Sequence, residues 1–353
     1  MERGQGTMAT VEAQIEEILR SRPKFGYVPS REEWPAFCSI LRQKIRELSG
    51  MNGLSDCALE PEIISTRDAG EYLVEEVILH TRPYTRVPCT VMIPKSLAAP
   101  APAAVCLHGH GGRFDLGRAW PAGEASSDAY ERTAPYALDL VLRGYVTVSA
   151  DAPYFGDRAR RDETGAVIPW DEAVCMMHEL LLGRTSFATM TWDDMRIVDY
   201  LCSRDDVDAG RVAAIGLSMG GSRTMHLAAL DERIKVACPC NHPATYKGRI
   251  ANQAWFGFHT TIPGILRYAD QPQILALVAP RPLLVMNGKD DFTYGDDECQ
   301  AYVRQVYEML GVPERFDFYK SPYGHAFIRE MPPKAYEWID RWLRPDDGRA
   351  SLT

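Results

Sequence analysis

The sequence predicts an α/β protein built on a doubly wound, mostly parallel central sheet, with helical insertions and an N-terminal helical arm. Three observations predict it. From residue 103 onward five short, nearly continuous apolar runs appear: "AAVCLHG", "YVTVSAD", "RVAAIGLS", "IKVACPC" and "RPLLVMNG". Such runs suit strands covered on both faces, as in a parallel sheet. Helical stretches separate several of them, at Tyr130 to Arg143, Thr191 to Arg204 and Met219 to Leu230, and strands alternating with helices imply a doubly wound sheet. Finally, "RVAAIG" runs through a glycine-flanked turn straight into the helix-forming "MGGSRTMHLAAL".

Taken in order, Val11 to Arg20 and then Trp34 to Leu48 space their apolar residues at helical intervals among charges. They form an arm spanning residues 1–60, and the apolar face of Trp34 to Leu48 needs a cover, either the domain itself or a second subunit. "YLVEEVILHT" and "VPCTVMIP" follow as extended segments around a turn at "RPYTR". "SLAAPAPAA" is a stiff connector into the first central strand. The main domain occupies 61–353. Two interruptions break its alternation, at about 152–190 and 241–279. Structureless loops of that length are uncommon in a compact domain, so both are expected to carry helices and to form a lid over the site. "FDFYK" is the last strand, and Pro333 to Leu343 a closing helix.

Bulk properties narrow the function. The formal charge of −9 argues against a nucleic-acid binder, which would show a basic patch or stripe. Nine cysteines without paired spacing suit reduced thiols in a cytoplasmic protein. "CPC" at Cys238 to Cys240 lacks metal or redox spacing and reads as core. The N-terminal stretch has charges throughout and no apolar core of a signal peptide. No run approaches 18 apolar residues, so no membrane span is expected.

The chemistry centres on "GLSMGG", Gly216 to Gly221. Ser218 falls between a buried strand and a helix, where flanking glycines permit a sharp turn and close packing, as a nucleophile elbow requires. A serine capping a helix is the plainer alternative. With Ser218 as nucleophile, the backbone N–H of Met219 at the helix start would face an oxyanion formed there. "CLHGHGGRF" ends the first central strand in a glycine-rich loop, and the second oxyanion donor is expected from the N–H of His110 or Gly111. The loop matches neither phosphate-binding pattern. His108 and His110, two residues apart without a matched carboxylate, are not read as metal ligands, and His108 is expected to brace the loop. "KDDF" offers Asp290 and Asp291 after "RPLLVMNG", and "SPYGHAF" places His325 between the last strand and helix. The order serine, aspartate, histidine fits a hydrolytic triad. His80, His226, His178, His242 and His259 stand in places less suited to a base.

With these residues assembled, the chain resembles the α/β-hydrolase superfamily, in its dienelactone hydrolase and acetyl xylan esterase-like branches. The resemblance runs from about Trp34 onward through "HGHGG", "DAPYFGDR", "RDDVDAGRVAAIGLSMGG", "IPGILRYADQPQILALVAPRPLLVMNGKDD" and the His325 loop. In that pattern the acid is the third residue after the strand-end glycine. Counting from Gly288 gives Asp291, with Asp290 the alternative. Dienelactone hydrolases proper use cysteine as nucleophile, so Ser218 shifts the expectation to a serine carboxylic-ester hydrolase working through an acyl-enzyme, on a small-molecule ester, without cofactor or metal. Two other readings are a small peptidase of prolyl oligopeptidase type and a non-catalytic hydrolase fold used for binding. That peptidase family usually adds a large N-terminal propeller, which some 100 residues cannot build. Trp170, Trp255, Phe256, Phe258 and His259 in the interruptions either wall the substrate pocket or pack the lid's own core.

Overall fold

In chain order the strands are β1 (Glu62–Asp68), β2 (Tyr72–Arg82), β3 (Thr85–Pro94), β4 (Ala101–Leu107), β5 (Val146–Ala150), β6 (Val207–Leu217), β7 (Ile234–Cys240), β8 (Leu283–Gly288) and β9 (Phe316–Ser321). They form one sheet in the order β1-β2-β3-β5-β4-β6-β7-β8-β9. Pairing is antiparallel from β1 through β3 to β5 and parallel from β5 to β9. The computed structural model describes residues 27–96, 100–111, 113–125, 133–168, 172–252, 254 and 257–344, with 13, 14 and 17. Most of the helix expected over Val11 to Arg20 therefore lies outside the described residues. The helices are α1 (Trp34–Leu48), α2 (Ala119–Ala122), α3 (Tyr136–Leu142), α4 (Glu172–Leu181), α5 (Ser186–Cys202), α6 (Met219–Leu230), α7 (Tyr246–Ala251), α8 (Gln271–Ala276), α9 (Asp296–Leu310) and α10 (Met331–Leu343).

The apolar runs lack an alternating polar face because the sheet is covered on both sides. Period-two alternation then sorts their residues between two cores. Ala103, Val105, Leu107, Val212 and Ala214 pack with residues of α1, α5, α6, α8 and α9. Ala104, Cys106, Ala213, Ile215, Cys238 and Cys240 face α3 and α10 on the other side. The "CPC" cysteines are thus buried strand residues, and all nine cysteines carry free thiols.

Several boundaries differ from the sequence reading, each for a local reason. Of the helix expected over Tyr130 to Arg143, residues 130–132 lie outside the described residues, and the helix begins at Tyr136, because Pro135 disfavours helical backbone at the residue before it. The helix expected from Thr191 starts at Ser186, where the Thr185 hydroxyl caps it by accepting the Ala188 N–H at 3.2 Å. The closing helix starts at Met331, with its two prolines in the first turn, where a missing N–H costs nothing. Strand β1 was not anticipated: every residue of this edge strand is exposed, which erases the burial alternation. Helix α9 was also not anticipated, although Cys299, Tyr302, Val303, Val306 and Tyr307 make a buried stripe and Gly311 ends it in the left-handed region at φ 77°.

Helix α1 buries Trp34, Cys38, Leu41 and Ile45 in the larger core. Arg42 fastens the helix, donating from Nε to the Ala229 carbonyl at 2.8 Å and from Nη2 to the Leu277 carbonyl at 3.0 Å. The domain itself covers the apolar face. Replacing Ile45, which is 0% exposed, by alanine should therefore lower the unfolding free energy by about 2–5 kcal/mol. Ile40→Ala, at a position 57% exposed, should change it by less than about 0.5 kcal/mol. Urea unfolding followed by tryptophan fluorescence measures both, and equal effects would contradict this packing.

Candidate active site

Because β4 to β9 run parallel, the segments that leave them all emerge at one edge of the sheet. Open α/β sheets bind ligands at this edge. Ser218 follows β6, the His108–Gly111 loop follows β4, Asp291 follows β8 and His325 follows β9. Ser218 adopts φ 62° and ψ −118°. This costs energy for a residue with a Cβ. Its N–H donates to the Cys240 carbonyl at 2.9 Å, and its own carbonyl accepts from Ser222 N–H at 2.9 Å, so both sides of the turn are tied. A Cβ on Gly220 would collide with the Leu107 carbonyl oxygen, which is why the chain needs glycine where α6 crosses the end of β4. Met219 opens α6, and the first N–H groups of a helix have no intrahelical acceptor.

The imidazole of His325 has its Nδ1 3.0 Å from both carboxylate oxygens of Asp291. The Asp291 side chain is 0% exposed and that of His325 29%. Asp291 Oδ1 also accepts the Phe292 N–H at 2.7 Å. Asp290, the alternative acid, is exposed at φ 58° and makes no such contact. Two hydrogen bonds connect the serine and histidine ends of the site. Ser218 bonds Cys240, and the next residue, Asn241, donates from Nδ2 to the carbonyl of Ala326 at 2.8 Å.

The loop after β4 lies against the elbow, since a Cβ on Gly109 would stand 3.5 Å from that of Ser218. His108 braces it. Its Nδ1 lies 2.9 Å from the Gly109 carbonyl, and its Nε2 accepts the Ala152 N–H at 3.0 Å. That pairing places the proton on Nδ1. His110 is buried and meets Phe114 and Phe155 edge-on at centroid distances of 4.9 and 5.4 Å. Gly111 stands at φ 56°, packed on the Trp120 ring.

Of the five expected pocket residues, Trp170, Trp255 and Phe256 lie outside the described residues. Phe258 is half-buried, and His259 is buried with its ring 5.8 Å from that of His242. Other residues at the site carried no motif in the sequence. Phe292 lays its ring over His325 at 4.5 Å between centroids. Asn241, His242 and Arg249 gather where the second interruption leaves β7. Their signal was positional, since any residue directly after a parallel strand stands at this edge.

A family model described as the Abhydrolase family matches residues 3–332. The chain belongs to the Abhydrolase family. A Bacillus subtilis (strain 168) relative named as a hydrolase, YtaP, is 28% identical over 287 residues, which span 80% of this chain and 92% of that protein. Among solved structures, a Bacteroides fragilis protein named as an acetyl xylan esterase superposes with a TM-score of 0.73 at 22% identity, over 91% of this chain and 84% of that one. The glucuronoyl esterase from Solibacter usitatus gives 0.61 at 17% identity, over 89% and 94%. The fold is that of the α/β-hydrolase superfamily, and the protein is an enzyme.

In this Abhydrolase-family chain four buried imidazoles, those of His108, His226, His242 and His259, are held neutral. Burial, which disfavours the imidazolium, pushes the pKa of His108 down to about 3 and that of His226 to about 4. Burial also lowers those of His242 and His259 well below the ordinary value. Above pH ~6.5 these side chains are neutral in both folded and unfolded chains and contribute no pH dependence. Below it the unfolded chain takes up protons that the folded chain refuses, so stability falls as the pH falls, by up to ~1.4 kcal/mol per pH unit for each histidine. Urea midpoints at pH 7.5 and 5.5 should show this loss, and His226→Gln should reduce the slope. A variant slope equal to that of the wild type would show that His226 protonates freely in the folded chain.

Proposed function

We propose that the protein is a serine carboxylic-ester hydrolase. The observation that carries the reading is the buried Asp291 carboxylate with both oxygens on His325 Nδ1, at the same sheet edge as the strained elbow of Ser218. The Ser218 hydroxyl attacks the ester carbonyl while His325 takes its proton and then delivers it to the leaving alcohol. Asp291 fixes the imidazole tautomer and stabilises its cation. The N–H of Met219 and that of His110 or Gly111 receive the tetrahedral oxyanion, an interaction worth ~100- to 1,000-fold per donor. Water then attacks the acyl-enzyme by the same route in reverse. The histidine-bearing loop and the serine turn are joined through Asn241 and Cys240, which supports a shared site.

The interruptions at 152–190 and 241–279 leave the C-terminal ends of β5 and β7, beside the loop and the elbow, which supports a lid. In this reading Phe258 and His259 wall the acyl or alcohol pocket. Nine free thiols suit a reducing compartment, and we assign the enzyme to the cytoplasm. No helix among the described residues is long and apolar enough to cross a membrane.

A fluorophosphonate probe and a panel of p-nitrophenyl esters from acetate to decanoate, beside acetylated sugars, test the assignment. Ser218→Ala should fold normally and lose both labelling and hydrolysis. Labelling that persists at another serine would overturn it. Asp291→Asn should cut kcat by roughly 10,000-fold, as expected when the imidazole loses its orienting carboxylate, while Asp290→Asn stays within threefold of wild type. The reverse ranking would move the acid to Asp290.

A further inference from the structure

Arg249 is a cation removed from water with little to hold. It is 2% exposed on α7. Its Nη2 donates to the His242 carbonyl at 2.7 Å, its Nε is sealed from solvent without an acceptor, and no carboxylate pairs with it among the described residues. A buried guanidinium in that state is costly. Arg281, half-buried, shows how this chain satisfies an arginine used for packing. Its two Nη atoms donate to four carbonyls, those of Asp231, Ile234, Ala228 and Leu277. Arg223, which is buried, leaves Nη1 without a partner but has a bidentate carboxylate in Asp194, with Nε–Oδ2 at 3.0 Å and Nη2–Oδ1 at 2.6 Å.

The position of Arg249 gives its unmet capacity a meaning. Helix α7 lies on the loop that carries the proposed acid: Thr245 N–H donates to the Tyr294 carbonyl at 3.1 Å, and a Cβ on Gly248 would come within 2.6 Å of that same oxygen. The carbonyl that Arg249 grips belongs to His242. Its neighbour Asn241 holds Ala326, the residue after His325. His242 Nε2 is a second buried polar atom without a partner. Burial lowers the pKa of Arg249, and Tyr246 and then Asp291 oppose that in part.

We infer that Arg249, with His242 beside it, is a specificity-determining anion site that receives a free carboxylate carried by the ester substrate. The inference rests on the esterase reading and narrows it to esters bearing a carboxylate near the scissile bond. A guanidinium with open donors suits a planar carboxylate, and its desolvation is already complete before the substrate arrives.

Two pairs of esters test this. Monomethyl glutarate against dimethyl glutarate places the charge on the acyl side, and O-acetylglycolate against its methyl ester places it on the alcohol side. In at least one pair the wild type should favour the anion in kcat/KM. Arg249→Met should lower that ratio by roughly 10- to 100-fold, mainly through KM, the range expected for a hydrogen bond to a charged group. Arg249→Lys, which keeps the charge but not the fork, should fall between them and serves alone if the methionine variant does not fold. No anion preference in either pair, or a ratio unchanged in the variants, would overturn the inference. So would an equal loss on charged and neutral esters, which would make Arg249 a support for Asp291. Calorimetric titration of Ser218→Ala with the same anions separates this result from failure of the esterase reading. Binding should weaken at least tenfold when Arg249→Met is added, and an equal affinity, or none in either protein, overturns the site whether or not the wild type hydrolyses esters.

Discussion

The backbone of Ser218, held at φ 62° and ψ −118°, is the constraint on which the rest of the site depends. A side-chain-bearing residue there costs on the order of 1–3 kcal/mol and persists only where its surroundings over-determine it. They do so here from three directions. Below, β6 is locked in parallel register between β4 and β7. Laterally, the Ser218 N–H is spent on the Cys240 carbonyl. Above, α6 is pressed so close to the end of β4 that position 220 has no space for a side chain. The same close approach brings Gly109, and with it the loop after β4, against the serine.

Helix α6 is itself fixed by charges that never reach solvent. Adjacent aspartates on α5 face different partners. Asp194 takes the Arg223 fork, while Asp193 accepts from Thr81 Oγ1 at 2.5 Å and pairs with Arg82 at 3.2 Å and Arg158 at 3.0 Å. Burial would raise both carboxyl pKa values; the two arginines on Asp193 reverse the effect there, whereas Asp194 stays raised. Removing one member of such a pair strands the other in low dielectric, so these contacts specify one arrangement more than they add stability. Asp151 continues the pattern at the end of β5, where it binds Arg118 and the Asp157 N–H and so shapes the first interruption as it leaves the sheet.

What the sequence made legible follows from which signals are local. The parallel core could be read because burial on both faces leaves uninterrupted apolar runs. Ser218 could be read because a sharp strand-to-helix turn demands glycines at fixed offsets. Asp291 and His325 needed one further assumption, that their strands run parallel to β6 on the far side of β7, since nothing within "KDDF" or "YGHAF" separates a structural side chain from one that meets another across 34 positions. Helix α9 carried a readable stripe and a terminating glycine, but its acidic first turn, Asp296 to Glu298, lies close to the aspartates of "KDDF" and blurs where the helix begins. Arg249 could not be read at all. Its significance is an Nε without an acceptor and, among the described residues, no paired carboxylate, and that becomes visible only once the neighbouring carbonyls and carboxylates have positions.

An anion site in a chain of net charge −9 also constrains how selectivity can arise. At long range the field of the protein opposes an anionic substrate, so Arg249 cannot act by steering it inward. Its contribution must come at contact, inside a wall where mobile ions screen little. Rising salt should therefore weaken the long-range repulsion and leave the contact intact. Between ~10 mM and ~0.5 M sodium chloride, where the Debye length shrinks from about 30 Å to a few ångströms, the preference for the anionic ester should hold or increase. The kcat/KM ratio for either ester pair across that range measures it. A preference that decays with salt would place its origin on exposed lysines and arginines, and the buried guanidinium would need another explanation.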